Sequence, residues 1–142
     1  MNFYLIGVSY RSATPEIRQA IYLQRKAIKD FWARAVKVNT AVLITCNRFD
    51  ISIASERKED ILERLGLFKA EFPEFYVHSY QKKGEEEFLR YALRLSCGLE
   101  SQVKGEIQIL EQLTSWLEQS NFPLVLYEFW SRIVNEALFI RA

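Results

Sequence analysis

Residues 40–54 read TAVLITCNRFDISIA, and the fold turns on how that stretch divides. Thr40–Thr45 is a near-continuous apolar run, as a buried strand carries. Phe49–Ala54 alternates instead. Ile51 and Ile53 fall on one side and Asp50 and Ser52 on the other, the pattern of a half-buried strand. Cys46-Asn47-Arg48 is left as a tight connection between the two.

Working outward, Asn2–Ser9 (NFYLIGVS) is short, apolar and rich in β-formers, and reads as a strand. Thr14-Pro15 then opens a helix, because Thr caps well and Pro at the first helical position wastes no hydrogen bond. Ile17, Ile21, Ile28, Phe31, Trp32 and Ala35 keep helical spacing to about residue 36. Glu56–Phe68 is a second helix, with Ile61, Leu62, Leu65 and Phe68 on its apolar side. Phe75–Tyr80 reads as a fourth strand after Pro73. The order β-α-β-β-α-β is that of a split-βαβ, ferredoxin-like unit with an antiparallel sheet.

The remaining third reads as helical. Helices are expected over Glu85–Leu95, over Val103–Glu118, and from about Leu124 to the end. The fold class is therefore α+β, with a ferredoxin-like sandwich over 1–82 and a helical part over 83–142. The last residues stay helical in pattern with no C-cap, so the chain is expected to stop inside an element.

Composition narrows the chemistry. The 142 residues carry 26% charged side chains, one His and two Cys, with a formal net charge of +1. That is the profile of a folded globular chain. The longest uncharged runs, Met1–Tyr10 and Val38–Asn47, are about ten residues, against roughly 20 for a membrane span. No basic and apolar leader opens the chain, so a cytoplasmic location is expected. Close Cys/His pairs suited to zinc do not occur, so no metal site is expected. Gly7, Gly66, Gly84, Gly98 and Gly105 never form a phosphate-binding loop. Residues 1–71 carry net +4 and residues 72–142 net −3. The basic half could face a polyanion such as RNA or simply present solvated helix faces.

A cysteine is then the best candidate for covalent chemistry. Cys46 lies at the end of a buried strand, where a ligand can approach. Arg48, two residues on, can favour a thiolate or bind a carboxylate with its fork. The same residues could equally be a packed thiol and a surface cation. Cys97 precedes Gly98 at a helix end and reads as packing. His78, read as mid-strand, is structural or exposed.

Three blocks read together resemble the N-terminal catalytic domain of glutamyl-tRNA reductase. They are Gly7-Val8-Ser9-Tyr10-Arg11-Ser12-Ala13-Thr14-Pro15-Glu16-Ile17-Arg18, Thr45-Cys46-Asn47-Arg48, and Gly98-Leu99-Glu100-Ser101-x₃-Gly105-Glu106-x-Gln108-Ile109-Leu110-x-Gln112. The resemblance implies that Cys46 is the nucleophile, forming a thioester with the glutamyl group of glutamyl-tRNA. NADPH-dependent reduction to glutamate-1-semialdehyde would follow, at the head of tetrapyrrole synthesis. It implies that Arg48 holds the substrate side-chain carboxylate. Thr45, Asn47, Ser101, Glu106, Gln108 and Gln112 would line the glutamyl pocket. Tyr91 stands where the family has a catalytic His, and Phe49-Asp50-Ile51-Ser52 where it has Thr-Glu-Ile-Tyr. Ile107 and Glu111 replace the Pro and Gly of the third block. Family enzymes continue into an NADPH-binding domain and a helical dimerisation domain that makes them homodimers. This chain carries neither, so no cofactor is expected on it. The alternative is a shortened non-catalytic paralogue that binds or regulates.

Overall fold

The computed structural model describes residues 1–100, 108–119 and 121–141. Four strands form one sheet: β1 (Asn2–Ser9), β2 (Asn39–Ile44), β3 (Arg48–Ser55) and β4 (Tyr80–Lys83). Their order is β2-β3-β1-β4, with every neighbouring pair antiparallel. That is the ferredoxin-like arrangement the element order implied, with β1 and β3 at the centre.

One face of the sheet is covered by α1 (Pro15–Leu23), α2 (Arg25–Ala33), α3 (Lys58–Glu71) and α4 (Pro73–Val77). Tyr4, Ile6, Val8, Phe49, Ile51 and Ile53 point into that layer, against Ile21, Phe31, Trp32 and Phe68. Thr14 caps α1 as expected, its Oγ1 accepting from the Ile17 N–H at 3.3 Å. The single helix expected to residue 36 is broken at Gln24 into α1 and α2, and no Gly or Pro marks the break.

The other face is covered by α5 (Glu85–Ser96), α6 (Gln108–Gln119) and α7 (Leu124–Arg141). Leu5, Leu43 and Ala54 from the sheet meet Phe88, Leu95, Leu113, Trp130 and Ile133 there. Two indoles tie this layer down: Trp116 Nε1 donates to the Val42 carbonyl at 2.8 Å, and Trp130 Nε1 to Ser52 Oγ at 3.0 Å.

Two further expectations are corrected. Phe75–Tyr80 is not a strand: Pro73 starts the short helix α4, which drives Phe75 between Phe49 and Phe68. His78 therefore ends α4, half-buried, and the fourth strand begins at Tyr80. Nor is β3 half-buried, since all eight of its residues are buried. Its polar side, Arg48, Asp50 and Ser52, faces the second helical layer rather than water.

Candidate active site

Cys46 and Asn47 form the link between β2 and β3. The Thr45 N–H donates to the Arg48 carbonyl at 3.0 Å, and Thr45 Oγ1 accepts from the Asn47 N–H at 3.3 Å. This turn projects from the end of the two strands, so Cys46 is an exposed free thiol while its neighbours are half-buried. The sheet end thus exposes a thiol.

Arg48 goes the other way. Only 4% exposed, it reaches Tyr91 on α5 and the chain just beyond that helix. Nη1 donates to the Tyr91 hydroxyl at 2.7 Å and reaches Asp50 Oδ2 at 3.5 Å, while Nη2 donates to the Glu100 carbonyl. Tyr91 in turn donates to Asp50 Oδ2 at 2.8 Å, and Tyr80 donates to Asp50 Oδ1. The two phenol oxygens lie 2.9 Å apart. Asp50 thus accepts from three donors, the satisfaction a buried carboxylate requires.

Electrostatics follow from that closure. Burial works against the Arg48 charge, but Tyr91 and Asp50 outweigh it and hold the guanidinium above its ordinary value. Burial pushes the Asp50 carboxyl up, against the pull of Arg48 and the two phenols. Burial, then the Asp50 charge, raises Tyr80 and Tyr91 well above the usual phenol value. Tyr91 is therefore a hydrogen-bonding group that does not titrate near neutrality, unlike an imidazole.

Gly7 makes the cluster possible. It pairs with Asp50 across β1 and β3, and a Cβ built on it would lie 1.9 Å from Asp50 Oδ1. A carboxylate can sit at this point of the sheet only because the facing residue has no side chain.

A second anchor lies where α5 ends. Gly98 takes a positive φ of 81°, turning the chain out of the helix as a C-terminal glycine does. Glu100 then accepts from Arg94 Nε at 2.8 Å and pairs with Arg11 at 3.3 Å, while Arg11 Nη2 donates to the Leu99 carbonyl. Cys97 is half-buried against the α5–α7 core, as its packing role anticipated.

A cleft of about 710 Å³ opens beside Cys46 on the α1–α2 side of the sheet. Thr45, Cys46 and Arg48 line one wall, and Arg18, Tyr22, Arg25 and Lys29 the other.

The fold therefore brings Thr45, Cys46, Asn47, Arg48 and Tyr91 to one end of the sheet. Gln108 opens α6, and Gln112 is exposed on it. Ser101 and Glu106 lie outside the described residues. Gly7 and Asp50 stand in or beside the quoted blocks with no role assigned to them there, and Tyr80 lies outside all of them. The available signal was the apolar stripe on each of three C-terminal helices, which needed a second sheet face to cover.

The family model for the glutamyl-tRNAGlu reductase N-terminal domain matches residues 6–141. The chain belongs to that family. Its three blocks therefore sit in a family context, and the ferredoxin-like sheet with its helical cover is the family's N-terminal fold. Among curated relatives, the glutamyl-tRNA reductase of Paenibacillus macerans is 30% identical over 128 residues, covering 81% of this chain and 28% of the relative. Glutamyl-tRNA reductase 2 of Anaeromyxobacter dehalogenans is 30% identical over 140 residues, covering 96% and 30%. The solved glutamyl-tRNA reductase from Methanopyrus kandleri superposes with a TM-score of 0.72 at 21% identity, covering 98% of this chain and 34% of that one. The chain thus spans about a third of the length of these reductases.

Proposed function

We propose that this chain carries the acyl-transfer half of the glutamyl-tRNA reductase reaction, with Cys46 as nucleophile. The observation that carries the reading is the placement of one exposed thiol at the sheet end, between a cation-lined cleft and a buried arginine. The Cys46 thiolate attacks the ester carbonyl of glutamyl-tRNA. A carbon–sulfur bond forms and the carbon–oxygen bond to the terminal ribose breaks. The ribose oxygen leaves with the electron pair and takes a proton, and the product is a glutamyl thioester.

Arg48 selects the glutamyl side chain. Its Nη2 edge is held by a neutral backbone carbonyl, and a carboxylate outcompetes that carbonyl for a guanidinium. Glutamine or an apolar residue leaves the exchange unrewarded. Tyr91 takes the place of the family His as a fixed hydrogen-bond partner for Arg48 and Asp50. Thr45, Asn47, Ser101, Glu106, Gln108 and Gln112 complete the pocket. Residues 1–82 supply the nucleophile and residues 83–142 close over the glutamyl group.

The family's reductant is NADPH, and the residues present do not fit a dinucleotide. The five glycines fall singly in the sequence and make no glycine-rich strand-to-helix turn for its phosphates. The chemistry these residues support ends at the thioester. Reduction and homodimerisation belong to the full-length family architecture, in cytoplasmic tetrapyrrole synthesis. Among the described residues no helix is long and apolar enough to cross a membrane.

The test is discharge of glutamyl-tRNA by the purified chain, followed on acid gels. A stoichiometric burst that disappears in Cys46→Ser is expected. Equal discharge by Cys46→Ser contradicts the reading and favours a non-catalytic module.

A further inference from the structure

Charges around the cleft are distributed unevenly. Among the described residues, Lys26 on α2 is paired with Asp30 at 3.1 Å, yet none of Arg18, Arg25 and Lys29 forms an ion pair. Arg18 is steadied by a neutral group, the Ala13 carbonyl at 3.0 Å. Arg25 lies over the exposed Tyr22 ring at 4.2 Å and donates to the Tyr22 carbonyl. No Asp or Glu is among the described residues lining the cleft. Three uncompensated cations and an exposed aromatic ring therefore face one concavity, with Cys46 on its wall.

The two faces of the sheet divide the work. Arg48 borders the cleft, but its guanidinium bonds to Tyr91 of α5 and to the Glu100 carbonyl. The cleft instead opens over Val8, Ile21 and Phe49, which belong to the α1–α4 layer. An aminoacyl ester attacked at the turn between them has its amino acid on one side and its ribose on the other. The first phosphate of the RNA then lies within one nucleotide of the sulfur.

We propose that this cleft is the seat of the leaving RNA strand: Arg18, Arg25 and Lys29 hold phosphodiesters of the 3′-terminal nucleotides, and Tyr22 stacks on a base. The inference rests on Cys46 being the nucleophile and adds where the RNA end is gripped. Single-stranded ends are held in this way, by cations that track the backbone and aromatic rings that accept any base.

The test compares the chain with Arg25→Gln/Lys29→Gln and with Lys58→Gln/Lys69→Gln, a charge-matched control on α3 that does not line the cleft. Acylation of Cys46 is followed by intact mass with two substrates. One is a glutamyl-charged RNA minihelix with a single-stranded 3′ end, and the other is glutamate ethyl ester. The cleft variant should lower the ratio of RNA to ester rates about tenfold, and the salt slope of the RNA reaction should fall by about 0.7 per lost phosphate contact. The control should keep both within about twofold of the unaltered chain, since its charges touch no phosphate. An unchanged ratio in the cleft variant, or an equal drop in the control, overturns the cleft while leaving Cys46 in place. No acylation of the unaltered chain by either substrate overturns the nucleophile and the cleft with it.

Discussion

Gly7→Ala should be among the most damaging one-carbon changes in the chain. The added Cβ would stand 1.9 Å from Asp50 Oδ1 and 2.9 Å from the Tyr80 hydroxyl. Ordinary contact needs about 3.5 Å, so the carboxylate must retreat by roughly 1.5 Å. A retreat of that size carries Asp50 out of reach of Tyr91, now at 2.8 Å, and of Tyr80. Hydrogen bonds to a charged group contribute about 1.5–3 kcal/mol each, so losing two costs about 3–6 kcal/mol. Replacing a strand glycine with alanine returns about 0.5–1 kcal/mol. The net expectation is about 2–5 kcal/mol of destabilisation, read from the urea midpoint at constant m-value. Most of the loss should disappear in an Asp50→Ala background. There the carboxylate is gone and only the Tyr80 ring, at 2.9 Å, must give way, so the cost of Gly7→Ala should fall below about 1 kcal/mol. A loss below about 1 kcal/mol in the unaltered background, or the same loss in both, would refute the claim that Gly7 exists to admit the carboxylate.

Tyr91→Phe removes the hydroxyl between Arg48 and Asp50 and should cost about 1.5–3 kcal/mol in urea unfolding, because the lost bonds involve charges. Tyr91→His should add an inflexion in the histidine range, about pH 5–8, to the Cys46 acylation profile, where the phenol contributes none. Tyr80 and Tyr91 have folded values raised well above the phenol norm, and burial lifts Tyr4 to about 12. A raised folded value gives stability that is complete below the unfolded pKa and lost as pH rises through the folded one. Stability should therefore decline above about pH 10, and these tyrosines should titrate together with unfolding in ultraviolet difference spectra. Arg48→Lys keeps the charge but not the fork, so it should lower discrimination between glutamyl- and glutaminyl-tRNA by about tenfold in single-turnover acylation.

Most of the sheet was legible because its signals are local. The apolar run of β2, the alternation of β3 and the Thr14-Pro15 helix start each depend on a few adjacent residues. The α4 region misled because Tyr76, Val77 and Tyr80 favour a strand, whereas Pro73 and the burial of Phe75 favour a turn of helix. The buried side of β3 was hidden for another reason. Alternation reports that two faces differ, not that the polar one meets water. Asp50 and Ser52 are buried by α5 and α7, 41 and 78 positions from the groups they bond, and no window on β3 contains that information. The site divided along the same line. Cys46 and Arg48 are two residues apart in sequence, while Tyr80, Gly7 and the cations of α1 and α2 join them only through the sheet register and the packing of two layers.

Peptide mapping of the chain quenched after mixing with glutamyl-tRNA tests the central claim most directly. The account predicts one hydroxylamine-labile glutamyl group, on the peptide containing Cys46. A glutamyl group on Cys97, or tRNA discharged with no acylated peptide, would contradict it.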